Sequence, residues 1–594
     1  MEQRLLKRNV YFTVIALIAT MQLSFAQDLP LEAGGGNPGA VNRQYQDQYK
    51  DLKIEKRYIQ TVPEDLDAQE RQRQQQQVPK DHIQGGIIYN PHFKLNDINF
   101  QGNTIYSDKK LKSLASDLIG QEVYLEDILN YSIKVSRFYQ QNGYLTTYAY
   151  VAPQEIQNGV VTIHISESRI AQKNVTGNFW VRKFYITNIA TGGTHLSKGK
   201  VFNVKQLQGA MKQMNKEAYM QTSVAIEKDK DENTIIDFDV KDRFPLRFGV
   251  YWDDFGRDNI GRQRATMILG MDNLTGLGDK IYGGTILSSH SAAALTGYQI
   301  PISSYGTKLS FDYTHQKVNP FGEAIPLNIE GNSNIYSLKI TQPFINTAST
   351  DLIGYAMIDF IDSDTRITDI NENISDYTLR VARFGVNYLH DDRTGRWLGN
   401  LDMDVGIGGL GATPGFEGGP QSSFQKINGM AARVERLPHN LLGVVRINGQ
   451  YTPQSLFAAE QMFIGGPYSI RGYQPTEVLG DYGIAGSVEL RFPIPGLDKI
   501  KKKPEFFQAV KDRVRLLVFY DWGYVNSHHD LYIYPKNFLH SVGVGATISV
   551  MDGLSTQLGV GFPLGPRSLG EASARMYFTV NAEVDRMFLR PKSH

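Results

Sequence analysis

From Phe244 onward, apolar and polar residues alternate with a period of two. Leu309, Phe311 and Tyr313 alternate with Ser310, Asp312 and Thr314, and Val445, Ile447 and Tyr451 with Arg446, Asn448 and Gln450. Val488, Leu490 and Phe492 flank Glu489 and Arg491, while Val542, Val544, Ala546, Ile548 and Val550 share one phase. A last run carries Met576, Phe578, Val580, Ala582 and Val584, and its phase continues to Phe588. This period marks strands with one apolar face. Such strands build either a soluble sandwich, with the apolar face inward, or a transmembrane barrel, with the apolar face toward lipid and the polar face in the lumen. Strands unbroken by any helical pattern through residues 243–594 are long for one sandwich. Abundant Gly (56) and Tyr (32) suit thin lumen walls and interfacial girdles. The pattern therefore predicts a transmembrane antiparallel β-barrel at 243–594. Strands of ~10 residues with their connections take about 22 residues each, which gives about 16 strands.

The preceding segment follows a different period. Within 92–168, Phe93–Phe100 reads as a strand, Gly102-Asn103 as a turn and Ser107–Ile119 as a helix. A second helix over Leu125–Asn142 places Ile128, Leu129, Ser132, Val135, Phe138 and Tyr139 on one face and stops at Gly143. Strands Leu145–Val151 and Val160–Glu167 complete a small α+β module. A weaker copy at 169–242 has a strand near Gln172–Thr176, a helix near Val204–Glu217, and strands near Ser223–Lys228 and Thr234–Lys241. Residues 27–91 read as linker, with a glycine tract at Gly34–Gly36, a polar helix over Val41–Gln60 and a glutamine run at Gln74–Gln77. Arg4, Lys7 and Arg8 precede the apolar run Val10–Met21, and Ser24-Phe25-Ala26 follows. This is the pattern of a secretory signal peptide over 1–26, cut after Ala26. Its core is shorter than the ~20 residues that span a bilayer. No later run is long enough to span either, so an integral chain must be a barrel.

Charge and composition remove several classes. The 62 basic and 61 acidic residues leave a net charge of +1, with no basic field for nucleic acid. Cysteine is absent, which removes disulfides, thiolate metal sites and thiol nucleophiles. Gly406-Ile407-Gly408-Gly409-Leu410-Gly411 satisfies GxGxxG but runs into Thr413-Pro414-Gly415, not a helix. His528-His529-Asp530 sits in a polar stretch and reads as solvated, not as metal ligands. No HExxH and no nucleophile elbow occurs, so no enzyme, cofactor or metal is expected.

One connection stands out. Gly465–Asp481 is longer than a hairpin turn requires and carries Ile470-Arg471-Gly472-Tyr473. In Val514–Tyr524 the phase Val514, Leu516, Val518, Tyr520, Trp522 points to lipid, so Asp521 points inward with Arg515, Phe519 and Gly523. A buried or semi-buried lumenal carboxylate needs a cation or several donors, and a guanidinium on an inward loop would pair with it bidentately. Spacing alone also allows an exposed Arg471 and a hydrated Asp521.

Two resemblances bear on that choice. Ile98-Asn99-Phe100-Gln101-Gly102-Asn103-Thr104, Arg137-Phe138-Tyr139-Gln140-Gln141-Asn142-Gly143-Tyr144 and Val160–Ser168 resemble a polypeptide-transport-associated (POTRA) domain, and 169–242 resembles a second one. With Ile470-Arg471-Gly472-Tyr473 and Phe519-Tyr520-Asp521-Trp522-Gly523, the chain resembles the Omp85 superfamily, and within it the two-partner secretion transporters of the haemolysin/filamentous-haemagglutinin type. The tip has Ile470 where that family usually has Val. The resemblance implies an outer-membrane barrel with periplasmic POTRA domains and a secreted exoprotein client. It also implies a lumenal loop whose Arg471 meets Asp521, with Phe519 and Gly523 in the partner motif, and a helix, for which Val41–Gln60 is the candidate, that plugs the pore. The rival expectations are a barrel-assembly factor of the same superfamily and a passive porin or surface receptor.

Overall fold

The computed structural model of the protein describes residues 91–584 apart from 193–195, 216, 218, 322–327, 348, 416–418, 496–512, 529–536 and 568–571. The expected signal peptide, the helix at Val41–Gln60, the rest of the leader and Phe588 lie outside the described residues.

In the first module, Asp97–Gln101 pairs parallel with Val160–Ser166, and Tyr148–Tyr150 pairs antiparallel on the other side of it. The helix Leu125–Gln141 covers one face. Ile128, Tyr131, Ser132, Val135 and Tyr139 are its buried positions, at the i, i+3, i+4, i+7 spacing of an amphipathic helix. Asp127 caps its start by accepting from the Tyr124 backbone N–H at 2.9 Å. Gly143 ends it at φ 99°, a conformation that favours glycine. Glu167 ties sheet to helix: its carboxylate accepts from the Thr104 N–H (2.8 Å), the Ile105 N–H (3.0 Å), the Tyr139 hydroxyl (3.0 Å) and the Thr104 hydroxyl.

The single helix expected over Ser107–Ile119 does not form at that length. It runs only over Asp108–Lys112, then tightens into a 3₁₀ turn at Ser113–Ala115. The Ser113 hydroxyl donates to the Lys110 carbonyl at 2.6 Å, competing with the helix ladder. Gly120 then turns the chain back, its N–H donating to the Leu95 carbonyl at 2.7 Å.

In the second module, Ile170–Thr176 pairs parallel with Thr234–Asp242, and Met220–Lys228 pairs antiparallel with it. Two helices pack on this sheet, Lys183–Thr191 and Val204–Asn215. The first was not expected, because β-branched and aromatic residues give it weak propensity. Burial of Tyr185, Ile186, Ile189 and Ala190 against Phe202, Leu207 and Phe238 holds it in place.

Among the described residues, sixteen antiparallel strands, from Leu246–Asp253 to Arg575–Glu583, close into a barrel. Large apolar side chains are exposed on its wall, among them Met267, Leu269, Leu338, Val445, Val488, Val518 and Tyr520. Buried ones include Asp359, Arg383, Asp404, Glu489 and Asp521. This inversion of the soluble pattern is that of a barrel with lipid outside and a polar lumen. No described helix is long and apolar enough to cross a membrane. The ring closes where Gly249–Asp253 pairs with Thr579–Glu583, a short seam beside joints such as Thr350–Ile367 with Glu372–His390.

The second module docks on the connections at one end of the barrel. The Arg182 N–H donates to the Gly276 carbonyl (3.0 Å), Lys212 Nζ to the Thr347 carbonyl (2.7 Å), and Lys280 pairs with Glu217 at 2.7 Å. Connections after even-numbered strands lie at that end, and those after odd-numbered strands lie at the far end. Leu441–Tyr451 is the eleventh strand, so the chain leaving it emerges at the far end and must turn back to enter the lumen.

Candidate functional site

That connection runs from 452 to 481, well beyond the Gly465–Asp481 expected from sequence. It contains a 3₁₀ turn at Ala458–Glu460 and a small hairpin of Met462–Ile464 with Val478–Gly480. Its interior is apolar: Met462, Ile464, Ile470, Tyr473 and Val478 pack with the wall residues Ala485, Val525 and Leu539. A loop packed on its own buried side chains is compact, not a loose strap.

At the tip, Arg471 meets the wall with its whole guanidinium. Nε and Nη2 reach the two carboxylate oxygens of Asp521, each at 2.8 Å, and the Arg471 backbone N–H donates to Asp521 at 3.0 Å. Nη1 donates to Glu489 at 2.6 Å and Nη2 also to Ser487 at 3.1 Å. The guanidinium carbon lies 3.4 Å from the centre of the Phe519 ring, a stacked cation–π contact. Strand register explains the convergence. Asp521 stands opposite Ser487 and Phe519 opposite Glu489 on the paired strands Val514–Asn526 and Tyr482–Pro493. All four side chains therefore share the lumenal face. Only a planar fork fits two acids and a ring at once.

Each wall residue of the motif has a separate task. Phe519 stacks, Asp521 accepts, and Gly523 makes room. A Cβ on Gly523 would fall 2.7 Å from Ile470 Cδ1, and Ile470 is fully buried. At the tip, Gly472 holds φ 104°, and its N–H donates to the Tyr577 hydroxyl. Tyr577 donates in turn to the Tyr473 carbonyl at 3.3 Å. The Tyr473 hydroxyl donates to the His540 carbonyl (3.2 Å) and accepts from the Gly565 N–H (3.0 Å). Arg515 stays away from the tip, with Nη1 directed to the Asn440 carbonyl.

A second ionic cluster, which sequence reasoning missed, fastens the base of the loop. Glu460 receives Arg383 Nη2 at 2.5 Å, Arg383 Nη1 at 3.1 Å and Lys426 Nζ at 2.5 Å. Arg383 also binds Asp359 (2.6 Å) and Asp404 (2.5 Å), and Lys426 lies 3.6 Å from Asp404. Side-chain exposure is 3% or less for every member. Asp481, at the other end of the loop, accepts from the Leu456 N–H (2.9 Å), Gln461 (3.0 Å) and the His528 N–H (2.8 Å). The signal in sequence was an acid at 460 close before the tip, together with inward-phase charges at 359, 383, 404 and 426. Nothing in spacing says that these meet.

The remaining motifs resolve simply. Gly406 ends a wall strand, and Leu410 and Gly411 turn with positive φ into a loop, with no helix following among the described residues. His528 Nε2 lies 2.7 Å from the Thr452 carbonyl, while His529 and Asp530 are outside the described residues. Among the described residues no group of three His, Asp or Glu could hold a metal.

Comparison with known proteins accords with this architecture. The family model described as haemolysin secretion/activation protein ShlB/FhaC/HecB matches residues 232–548, and that of the ShlB-type POTRA domain matches 93–168. The outer membrane transporter CdiB of Dickeya dadantii (strain 3937) is 23% identical over 68% of this chain and 73% of its own length. The heme/hemopexin transporter protein HuxB of Haemophilus influenzae (strain 86-028NP) is 25% identical over 76% and 79%. CdiB from Escherichia coli shares the fold at a TM-score of 0.73 and 18% identity, covering 93% of this chain and all of that one. BamA from Haemophilus ducreyi, lacking POTRA domains 1–3, superposes at 0.50 with 14% identity over 82% of this chain.

Proposed function

Because the chain belongs to the ShlB/FhaC/HecB haemolysin secretion/activation family, and so is an outer-membrane transporter of two-partner secretion, we propose the following course for its client. The two periplasmic modules capture an unfolded exoprotein. The client then passes through the barrel as the 452–481 loop yields, and the Arg471–Asp521 pair sets the loop's resting position. Capture is supported by the edge strand Met220–Lys228 of the second module, where a client strand can add by backbone hydrogen bonds beyond Thr222, whose own backbone is held by the Asn215 amide. Tyr148 and Tyr150 present exposed rings on the first module.

The observation that carries the loop's role is the engagement of all three guanidinium nitrogens of Arg471, on Asp521, Glu489 and Ser487, with its face on Phe519. A side chain that only braced the fold would be as well served by an apolar contact, since a buried ion pair adds little net stability over packed hydrophobics. An ionic latch in a wet lumen differs in one respect: its partners can be rehydrated as it opens. Arg471→Ala should abolish or strongly reduce client export while the barrel stays heat-resistant on gels. Normal export by that variant would refute the latch.

A further inference from the structure

We propose that Phe179, Trp180 and Phe244 form a wedge that seats the second module in the periplasmic leaflet of the outer membrane, at the level of the lipid headgroups. The three rings form one chain. Phe179 and Trp180 lie 5.1 Å apart and Trp180 and Phe244 5.0 Å apart, both edge-on. They are nevertheless 80%, 42% and 41% exposed. Large apolar side chains left in water at this density mark an interaction surface.

The loop that carries them is held rigidly. The Asp242 carboxylate accepts the backbone N–H groups of Phe179 (2.9 Å), Trp180 (2.7 Å) and Val181 (2.7 Å). The Trp180 carbonyl accepts from Asn273 at 3.1 Å, and Arg182 is bonded to Gly276 at 3.0 Å. Three amides gathered on one carboxylate, with the neighbouring barrel turn bonded on either side, fix the backbone so that the rings point away from the protein.

The barrel's own lipid contact identifies the occupant. Phe244 shares its phase with Leu246, Phe248, Val250 and Trp252, the outward side of the first strand. On the second strand, Leu269 lies opposite Phe248 and Met267 opposite Val250, and both Leu269 and Met267 are exposed. The band then continues to Leu274, exposed on the turn that Asn273 ties to Trp180. The wedge is thus the periplasmic end of a surface already in lipid, and aromatic rings favour that boundary. A client docking site would have no reason to continue the lipid band.

The chain has no cysteine, so Phe179→Cys carries a single environment-sensitive fluorophore. Lys109→Cys on the exposed face of the first module is the control. The full chain is reconstituted in phosphatidylethanolamine/phosphatidylglycerol vesicles, with or without bromine on the acyl chains near the headgroup. Emission from position 179 should be blue-shifted and quenched by the brominated lipid, and emission from position 109 neither. Adding Trp180→Ser and Phe244→Ser should move the position-179 emission back toward the solvent value. Solvent-like, unquenched emission at 179 overturns the proposal. So does shielding that appears only when client protein is added, or quenching that the two serines leave unchanged.

Discussion

Glu460→Gln tests whether the loop is fastened at its base as well as at its tip. The base cluster holds two cations, Arg383 and Lys426, and three carboxylates, Asp359, Asp404 and Glu460, a formal sum of −1. Glutamine leaves two cations with two carboxylates, a sum of 0. Every charge on the wall therefore keeps a partner, and the barrel should assemble normally. Only the loop's side of the contact weakens. Glu460 accepts three charge-assisted contacts, at 2.5, 3.1 and 2.5 Å. An amide keeps one acceptor atom and turns an NH₂ toward a cation. Charge-assisted bonds contribute about 1.5–3 kcal/mol each, so losing one or two costs the docked base about 3 kcal/mol. That is roughly a 100-fold shift toward release. Single-channel recording in planar bilayers should show more frequent large openings, with unchanged heat-resistance on gels. Opening at the parent's frequency in Glu460→Gln, while Arg471→Ala opens freely, would refute a base anchor and leave the tip alone responsible. Arg383→Met is the contrasting case. It leaves one cation among three buried acids and should impair assembly itself, by about 3–5 kcal/mol.

Further outcomes follow from single contacts. Gly472→Ala forces a Cβ into φ 104° and to 3.1 Å from Pro563; at about 1–3 kcal/mol of strain, client export should fall by less than in Arg471→Ala. Gly523→Val should displace Ile470 and cost the latched loop about 1–3 kcal/mol by overpacking, read as faster protease cleavage within 465–475. In the first module, Glu167→Ala strands the amides of Thr104 and Ile105 and the Tyr139 hydroxyl. At about 1–3 kcal/mol per stranded group, the periplasmic part should become protease-sensitive with the barrel intact. A Glu167→Ala protein whose periplasmic part resists protease like the parent would show that this junction is not needed.

The parts of the molecule legible in sequence were those written in local periodicity. Period two gave the barrel and which face of Val514–Asn526 looks inward, because lipid and lumen each impose their polarity on alternate residues. The helix Leu125–Gln141 was legible from its i, i+3, i+4 face and its terminal Gly143. Lys183–Thr191 was not, because Tyr185, Ile186 and Ile189 are stabilised by a core that local propensity does not report. At the tip, strand phase turned Asp521 inward and the resemblance favoured Arg471 as its partner, whereas Glu489 and Tyr577 join them only through strand register and ring closure. The base cluster draws on five separate segments, so its pairing exists in three dimensions alone.

The closing seam of the barrel invites a mechanical reading. A hoop under load is tested where its ladder is shortest, and among the described joints that is the run of Gly249–Asp253 against Thr579–Glu583. Tyr577, which takes the Gly472 amide, sits on the strand that would peel away first. The loop tip is therefore a rivet set from inside beside the shortest ladder. Drawing the loop out for a passing chain would also remove that rivet, so pore opening and hoop strength are not independent properties of this barrel.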